Sequence, residues 1–214
     1  MNILKKWFVA AFVLIMLFSF QHQVAEAADY RTVKVVSGSS LIVRESPNDT
    51  ANSVGNLDKN QFVIEFSTSN GWSHIQAGDV KGYVNTSFLS VPPSTIKIAN
   101  SKSGLVVKST PSLSAATLAT LKYNMVVEDY GSVGNGWSYV QYGNVIGYVK
   151  SDFMGKTKTS TKYVNTSSGV VVRNIASQSG ASVGSLSNGT QVTVHSTLVG
   201  WSYGTAGNVK GYVV

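Results

Sequence analysis

The 214-residue chain has no cysteine, which excludes disulfide cross-links, a thiol nucleophile, thiolate metal sites and a lipid-bearing cysteine at a processing site. Stability has to come from packing alone, a demanding condition for cores of about 55 to 65 residues. Charged residues make up only 13% of the sequence. The one adjacent acidic pair, Glu128-Asp129, falls in a predicted strand, where neighbours point to opposite faces. A glycosidase-type pair of facing carboxylates is therefore not supplied. No Gly-x-Ser-x-Gly elbow is present. Histidine is scarce as well: His22, His74 and His195 are the full set, too thin a supply for a zinc centre. No cofactor, metal or catalytic residue is expected.

Long apolar runs are missing everywhere except at the N-terminus. Lys5 and Lys6 precede an almost wholly apolar stretch from Trp7 to Phe20, and Ala25-Glu26-Ala27 offers a small-x-small cleavage site. This pattern predicts a signal peptide over 1–27, with a mature chain starting near Ala28. A membrane anchor is the competing reading, but the run is shorter than the roughly 20 residues needed to span a bilayer. The remainder has no membrane-spanning segment and is expected to be monomeric and secreted, extracellular or cell-wall associated. Without Lys5, Lys6 and Glu26 the mature part keeps 15 basic and 9 acidic residues, a net charge of +6. Its lysines are spread along the chain, so the field favours anionic polymers mildly and does not form a nucleic-acid stripe.

What is present is repetition. Gly71-Trp72, Gly136-Trp137 and Gly200-Trp201 are 65 and 64 residues apart, and Gly82-Tyr83-Val84, Gly147-Tyr148-Val149 and Gly211-Tyr212-Val213 keep those intervals. Upstream, Leu41-Ile42-Val43-Arg44, Leu105-Val106-Val107-Lys108 and Val170-Val171-Val172-Arg173 are spaced by 64 and 65. The difference places a one-residue insertion between Gly131 and Gly136. A period near 64 exceeds that of solenoid repeats, so each copy reads as a self-sufficient domain.

Within a copy, short runs rich in Val, Ile and Tyr are bounded by Gly, Asn and Ser, and Ala77-Gly78-Asp79, Tyr142-Gly143-Asn144 and Ala206-Gly207-Asn208 mark hairpin turns. Such strands bury their apolar faces by curling into a small barrel. The predicted fold is all-β, with three tandem units at 33–90, 96–155 and 162–214. The connector 90–95, with Pro92 and Pro93, should be stiff, and the connector 155–161, without proline, should flex more. Units one and two run on into Phe88-Leu89 and Phe153-Met154, whereas the sequence given stops at Val214. The third unit is thus expected to be C-terminally short and the least stable.

Together, Leu-x-Val-Arg-x-x-Pro (Leu41 to Pro47), Gly71-Trp72 and Gly82-Tyr83-Val84, each in ordered copies, resemble the bacterial SH3 domain family across nearly all of 33–214. Lys108 stands where arginine is usual, Ala176 replaces the proline seen at Pro47 and Pro111, and Ile42, Val106 and Val171 fill a position that is commonly asparagine. The resemblance implies SH3-like barrels and a non-catalytic role in recognising peptidoglycan or an associated anionic wall polymer. Three weak modules in series would raise avidity for such a repeating target. Two alternatives stay open: the targeting portion of a cell-wall hydrolase whose catalytic domain lies outside this chain, and a surface protein-interaction or adhesion module.

Candidate ligand-binding residues are aromatic: Trp72, His74 and Tyr83 in the first unit, Trp137, Tyr139 and Tyr148 in the second, Trp201, Tyr203 and Tyr212 in the third. His74 aligns with Tyr139 and Tyr203, and His195 with Phe66 and Tyr130; both histidines substitute for flat rings. On the Gly-Trp strand, Trp72, His74 and Gln76 share one face and Ser73 and Ile75 the other. If the aliphatic side fills the barrel, the Trp side is a flat amphipathic platform; if the Trp side points inward, it is core. Arg44, Lys108 and Arg173 read as strand-end charges on a solvated surface.

Overall fold

The computed structural model describes residues 31–214; the signal peptide expected at 1–27 lies outside them. The all-β expectation holds, and each repeat forms its own sheet. The first comprises β1 (Thr32–Val36), β2 (Ser40–Arg44), β3 (Ser53–Asp58), β4 (Phe62–Ser69), β5 (Trp72–Ala77), β6 (Val80–Asn85) and β7 (Leu89–Ser90), in the order β3-β2-β6-β5-β4-β1-β7. The second repeats it with β8 (Thr95–Ala99), β9 (Leu105–Lys108), β10 (Thr117–Leu121), β11 (Val126–Gly134), β12 (Trp137–Tyr142), β13 (Val145–Lys150) and β14 (Met154–Lys156). In the third, β15 (Ser160–Tyr163), β16 (Val170–Arg173), β17 (Ser182–Leu186), β18 (Gln191–Leu198), β19 (Trp201–Ala206) and β20 (Val209–Val213) keep that order without a seventh strand, which leaves β15 at an edge. Two 3-10 turns, Thr86–Phe88 and Ser151–Phe153, are the helical elements among the described residues. None of these is long and apolar enough to cross a membrane.

The alternation on the Gly-Trp strand resolves one way. Ser73, Ile75 and Ala77 are buried in the first barrel with Val43, Val63 and Val84, while Trp72, His74 and Gln76 lie half-buried on the outer face. The glycine of each Gly-Tyr-Val motif closes the barrel. There β2 and β6 pair through Arg44 and Tyr83, and a Cβ at Gly82 would collide with the Arg44 carbonyl and with Val43. At Gly147 the same atom would lie 2.5 Å from the Lys108 carbonyl oxygen.

The extra residue of the second repeat is absorbed in β11, which is nine residues long against eight in β4 and β18. Its pairing with β12 shifts register between Asp129 and Ser132 and again before Gly134, whereas β4 has one such shift. A second β-bulge therefore takes up the insertion. The connector expected over 155–161 is shorter than the composition implied, because Gly155 and Lys156 pair with β8 and Ser160 and Thr161 with β18.

The units stack in sequence through their outer faces. Val33, Phe62 and Ile64 on β1 and β4 pack against Tyr139, Ile146, Tyr130 and Tyr148 of the second unit. Ile96 and Val126, which hold the positions of Val33 and Phe62 on β8 and β11, pack together with Ile98 against Trp201, Tyr203 and Tyr212 of the third. The middle unit is thus covered on two halves of one face, and five of the six residues of β12 are buried.

Candidate functional site

Each unit carries a ladder of three rings on its outer face, one from each of three adjacent strands. In the first, Phe66 and His74 lie 5.3 Å apart between centroids, and His74 stacks on Tyr83 at 4.9 Å. In the second, Tyr139 sits 6.4 Å from Tyr130 and 4.9 Å from Tyr148. In the third, Tyr203 meets His195 at 6.2 Å and Tyr212 at 5.0 Å. The ladder follows from the cross-strand registers His74–Tyr83, Tyr139–Tyr148 and Tyr203–Tyr212, which set the rings directly opposite one another.

The three ladders differ in what covers them. Phe62 stacks on Tyr139 at 4.9 Å, and the Gln141 amide donates to the Arg31 carbonyl at 2.6 Å, closing the first unit over the second ladder. The third ladder lies under the second unit: Tyr142 meets Tyr212 edge-on at 6.4 Å, Lys210 pairs with the Glu128 carboxylate at 2.5 Å, and the Tyr203 hydroxyl points to the same carboxylate at 3.5 Å. As a result Tyr139, Tyr203 and Tyr212 are 1–5% exposed; Trp137 is 4% exposed as well. Burial, with Tyr148 adding to it, pushes the Tyr139 phenol well above its ordinary range, and burial with Tyr142 does the same for Tyr212. These rings act as neutral surfaces.

In the first unit Phe66, His74 and Tyr83 are half-buried. Two cations accompany this ladder, with the Arg31 Cζ and the Lys81 Nζ each 5.2 Å from the Phe66 centroid, a favourable arrangement for a cation over a ring. Beside the ladder, Trp72 walls a groove of about 210 Å³ whose other sides are Leu41, Ile42, Arg44, Asp49, Asn85 and Phe88. Ile42 and Phe88 are 45% and 47% exposed. Trp137, the equivalent of Trp72, has the Lys150 Nζ 4.9 Å over its ring.

The candidate residues are therefore brought together within each unit, and the second and third sets lie largely against neighbouring units. Among the described residues no group of three or more His, Asp or Glu side chains could hold a metal ion. His195 sits between the Thr205 and Thr157 hydroxyls, at 3.0 and 3.4 Å, and burial pushes its imidazole below the ordinary value. Glu128 and Asp129 do face opposite ways: Glu128 reaches the third unit, while Asp129 accepts the Gly131 amide at 2.9 Å and pairs with Lys97.

Two sets of residues differ from their sequence reading. The strand-end cations are fastened to their loops and are not free solvated charges. The Arg44 guanidinium donates to the Ala51 carbonyl at 2.7 Å, the Lys108 ammonium to Ala115 at 2.9 Å and the Arg173 guanidinium to Gly180 at 2.8 Å. In each case the acceptor is seven residues on, an interval visible in the repeats. The second set is the junction group Val33, Phe62, Ile64 and Glu128, whose signal was Ile146 standing on a face where the sister repeats have Lys81 and Lys210.

Among curated proteins, none matches this chain. Among solved structures, it is similar to NlpC2 from Trichomonas vaginalis, with 16% identity and a TM-score of 0.34 over 58% of this chain and 47% of that one. The chain thus spans about half the length of that relative. It is also similar to NlpC1 from Trichomonas vaginalis, with 12% identity and a TM-score of 0.34 over 85% of this chain and 87% of that one. Residues 39–90 and 103–155, the bulk of the first two units, each match the family model of the bacterial SH3 domain.

Proposed function

We propose that this chain is a non-catalytic, cell-envelope-associated module that binds peptidoglycan, with the third unit a diverged copy of the same domain. The observation that carries the reading is the outer face of the first unit. It presents a ring ladder flanked by Arg31 and Lys81 and a groove walled by Trp72 and Phe88. Flat rings with polar edges suit the faces of sugars and short peptides, and the net positive charge favours an anionic polymer. Because the second and third ladders are occupied by neighbouring units, the three copies do not present three equal faces. Threefold avidity is then a smaller part of the affinity than the repeat number alone implies.

The test is co-sedimentation of the full chain with purified sacculi, with and without teichoic acid. The protein should pellet with both and release no soluble wall fragments. Trp72→Ala combined with Tyr83→Ala should lower the pelleted fraction several-fold, whereas Tyr163→Ala, on the exposed β15, should leave it unchanged. Pelleting that disappears once teichoic acid is stripped, or that ignores the Trp72/Tyr83 double variant, would overturn the proposal.

A further inference from the structure

We propose that the groove between the second and third units is a separate binding site, and that it takes a segment of a polyol or sugar phosphate chain, with phosphates on Lys156 and Lys158 and hydroxyls on the neighbouring amides. The groove, of about 450 Å³, lies where the chain passes from β14 to β15. Asn100, Tyr123 and Asn124 of the second unit form one side, His195 and Ser196 of the third form the other, and Lys156 and Lys158 come from the connector between them. None of the described residues that line it is acidic.

The backbone carrying the two lysines is anchored at both ends of the groove. Pairing of β14 with β8 sets Lys156 opposite Lys97. Thr157, between the lysines, lies 3.4 Å from the His195 Nδ1, and the other ring nitrogen of His195 is 3.0 Å from the Thr205 hydroxyl. The Ser196 hydroxyl donates to the Asn124 carbonyl at 3.0 Å and so joins the two sides. The ammonium groups, by contrast, are not consumed by the fold. Lys34, Lys97 and Lys210 pair with carboxylates, and Lys108 and Lys150 donate to backbone carbonyls. Lys156 and Lys158 are exposed and make no such bond among the described residues. Two positions apart on an extended chain is a rise of about 6.6 Å, close enough for the two charges to repel each other and for one anionic chain to relieve both.

This charge is not a by-product of the repeat. Leu89 and Met154 hold equivalent register positions, opposite Val36 and Ala99, so the first connector has Val91 and Pro93 where the second has Lys156 and Lys158. Asn60 and Asn124 also correspond, with φ of 66° and 67°, and Tyr123 stands where the first unit has Lys59. The second junction thus combines two connector cations with a ring that is 46% exposed. Ammonium groups act as point charges and suit a tetrahedral oxyanion without the planar fork of arginine. The Asn100 and Asn124 amides can both donate to and accept from hydroxyls, and the Tyr123 ring suits the C–H face of a polyol or sugar. A nucleic-acid strand fits less well, because successive bases call for a run of rings and the groove has one exposed ring. That the polymer belongs to the cell envelope rests on the function proposed above; the chemistry of the groove does not.

The experiment is an NMR titration of the isotope-labelled full chain at low salt with a deacylated glycerol phosphate oligomer, with uncharged polyglycerol and with oligodeoxythymidine of equal charge. The phosphate oligomer should shift the amides of Asn100, Tyr123, Asn124, Lys156, Lys158 and Ser196, and polyglycerol should shift none of them. Lys156→Gln combined with Lys158→Gln should weaken the oligomer about tenfold, as expected for two partly solvated charge pairs acting together, while the amide dispersion is kept. Lys59→Gln combined with Lys162→Gln removes the same charge elsewhere and should leave the affinity nearly unchanged. Equal losses in the two double variants, no loss in the first, shifts centred away from the groove, or oligodeoxythymidine binding as tightly would each sink the inference. Sacculi stripped of teichoic acid separate this site from the wall reading. The Lys156→Gln/Lys158→Gln chain should still pellet with them through the first unit; an oligomer that fails to bind defeats the groove alone, and unaltered protein that fails to pellet defeats the peptidoglycan reading alone.

Discussion

Single residues show where the third repeat departs from the other two. The turn before each Gly-Trp strand needs a left-handed residue, and Asn70 and Asn135 supply it with φ of 50° and 52°. In the third unit that place is taken by Val199 at φ 38°, fully exposed, a backbone region that costs a residue with a Cβ about 1–2 kcal/mol and that asparagine tolerates best. Val199→Asn should therefore stabilise the third unit by about 1 kcal/mol, read as a higher urea midpoint; an unchanged or lower midpoint would refute the strain. Glu65 makes a second case. Burial alone raises a carboxyl, but the hydrogen bond from Ser73, the charge of Lys34 and the bonds from Thr32 and Thr68 outweigh it and hold Glu65 below its ordinary value of 4.5. A folded value below the unfolded one means stability that is complete above 4.5 and is lost as pH falls from there through the folded value. Glu65→Gln should accordingly destabilise the first unit at pH 7, with the gap to the unaltered protein closing below 4.5. A gap that stays constant down to pH 3 would contradict that account.

At the level of the strand, the repeat signature proves to be a list of closure points. The Gly82 and Gly147 positions are small because a neighbouring backbone carbonyl occupies the space a Cβ would need, and the preceding cation ties down the loop seven residues on. Gly147→Ala should cost about 1–3 kcal/mol or more by overpacking and should be felt in the second unit's urea transition. Gly78→Ala would be a poor comparison, since its cost comes from a φ of 58° rather than from crowding. Strand identity and the insertion in β11 were legible because periodicity and spacing are local properties. The face carrying the rings was not, because in the second repeat both sides of the Trp137 strand are apolar enough to be core. Only the alternation in the first repeat, with Gln76 and His74 set against Ile75 and Ala77, pointed outward.

For the molecule as a whole, the order of units along the stack depends on pairings between residues some 70 to 110 positions apart, such as Ser196 with Asn124 and Gln141 with Arg31, which no repeat alignment reveals. Two kinds of contact hold the junctions, and their sizes differ. The pair of Lys210 with Glu128 is partly solvated, at 38% and 13% side-chain exposure, and pairs of that kind contribute about 0.2–1 kcal/mol. Burying a large ring contributes about 1.5–3 kcal/mol. Ring contacts therefore decide whether the units stay together, and the charge pair decides how they register. Phe62 tests this cleanly, since it lies on the outer face of its own barrel and stacks on Tyr139 across the junction. In ¹⁵N relaxation the unaltered chain should tumble as one body, whereas Phe62→Ala should let the first unit reorient faster than the other two while its own amide spectrum keeps its dispersion. Glu128→Gln should leave all three units tumbling together. A Phe62→Ala chain that still moves as a single body, or a Glu128→Gln chain that comes apart, would reverse the ranking of the two contacts.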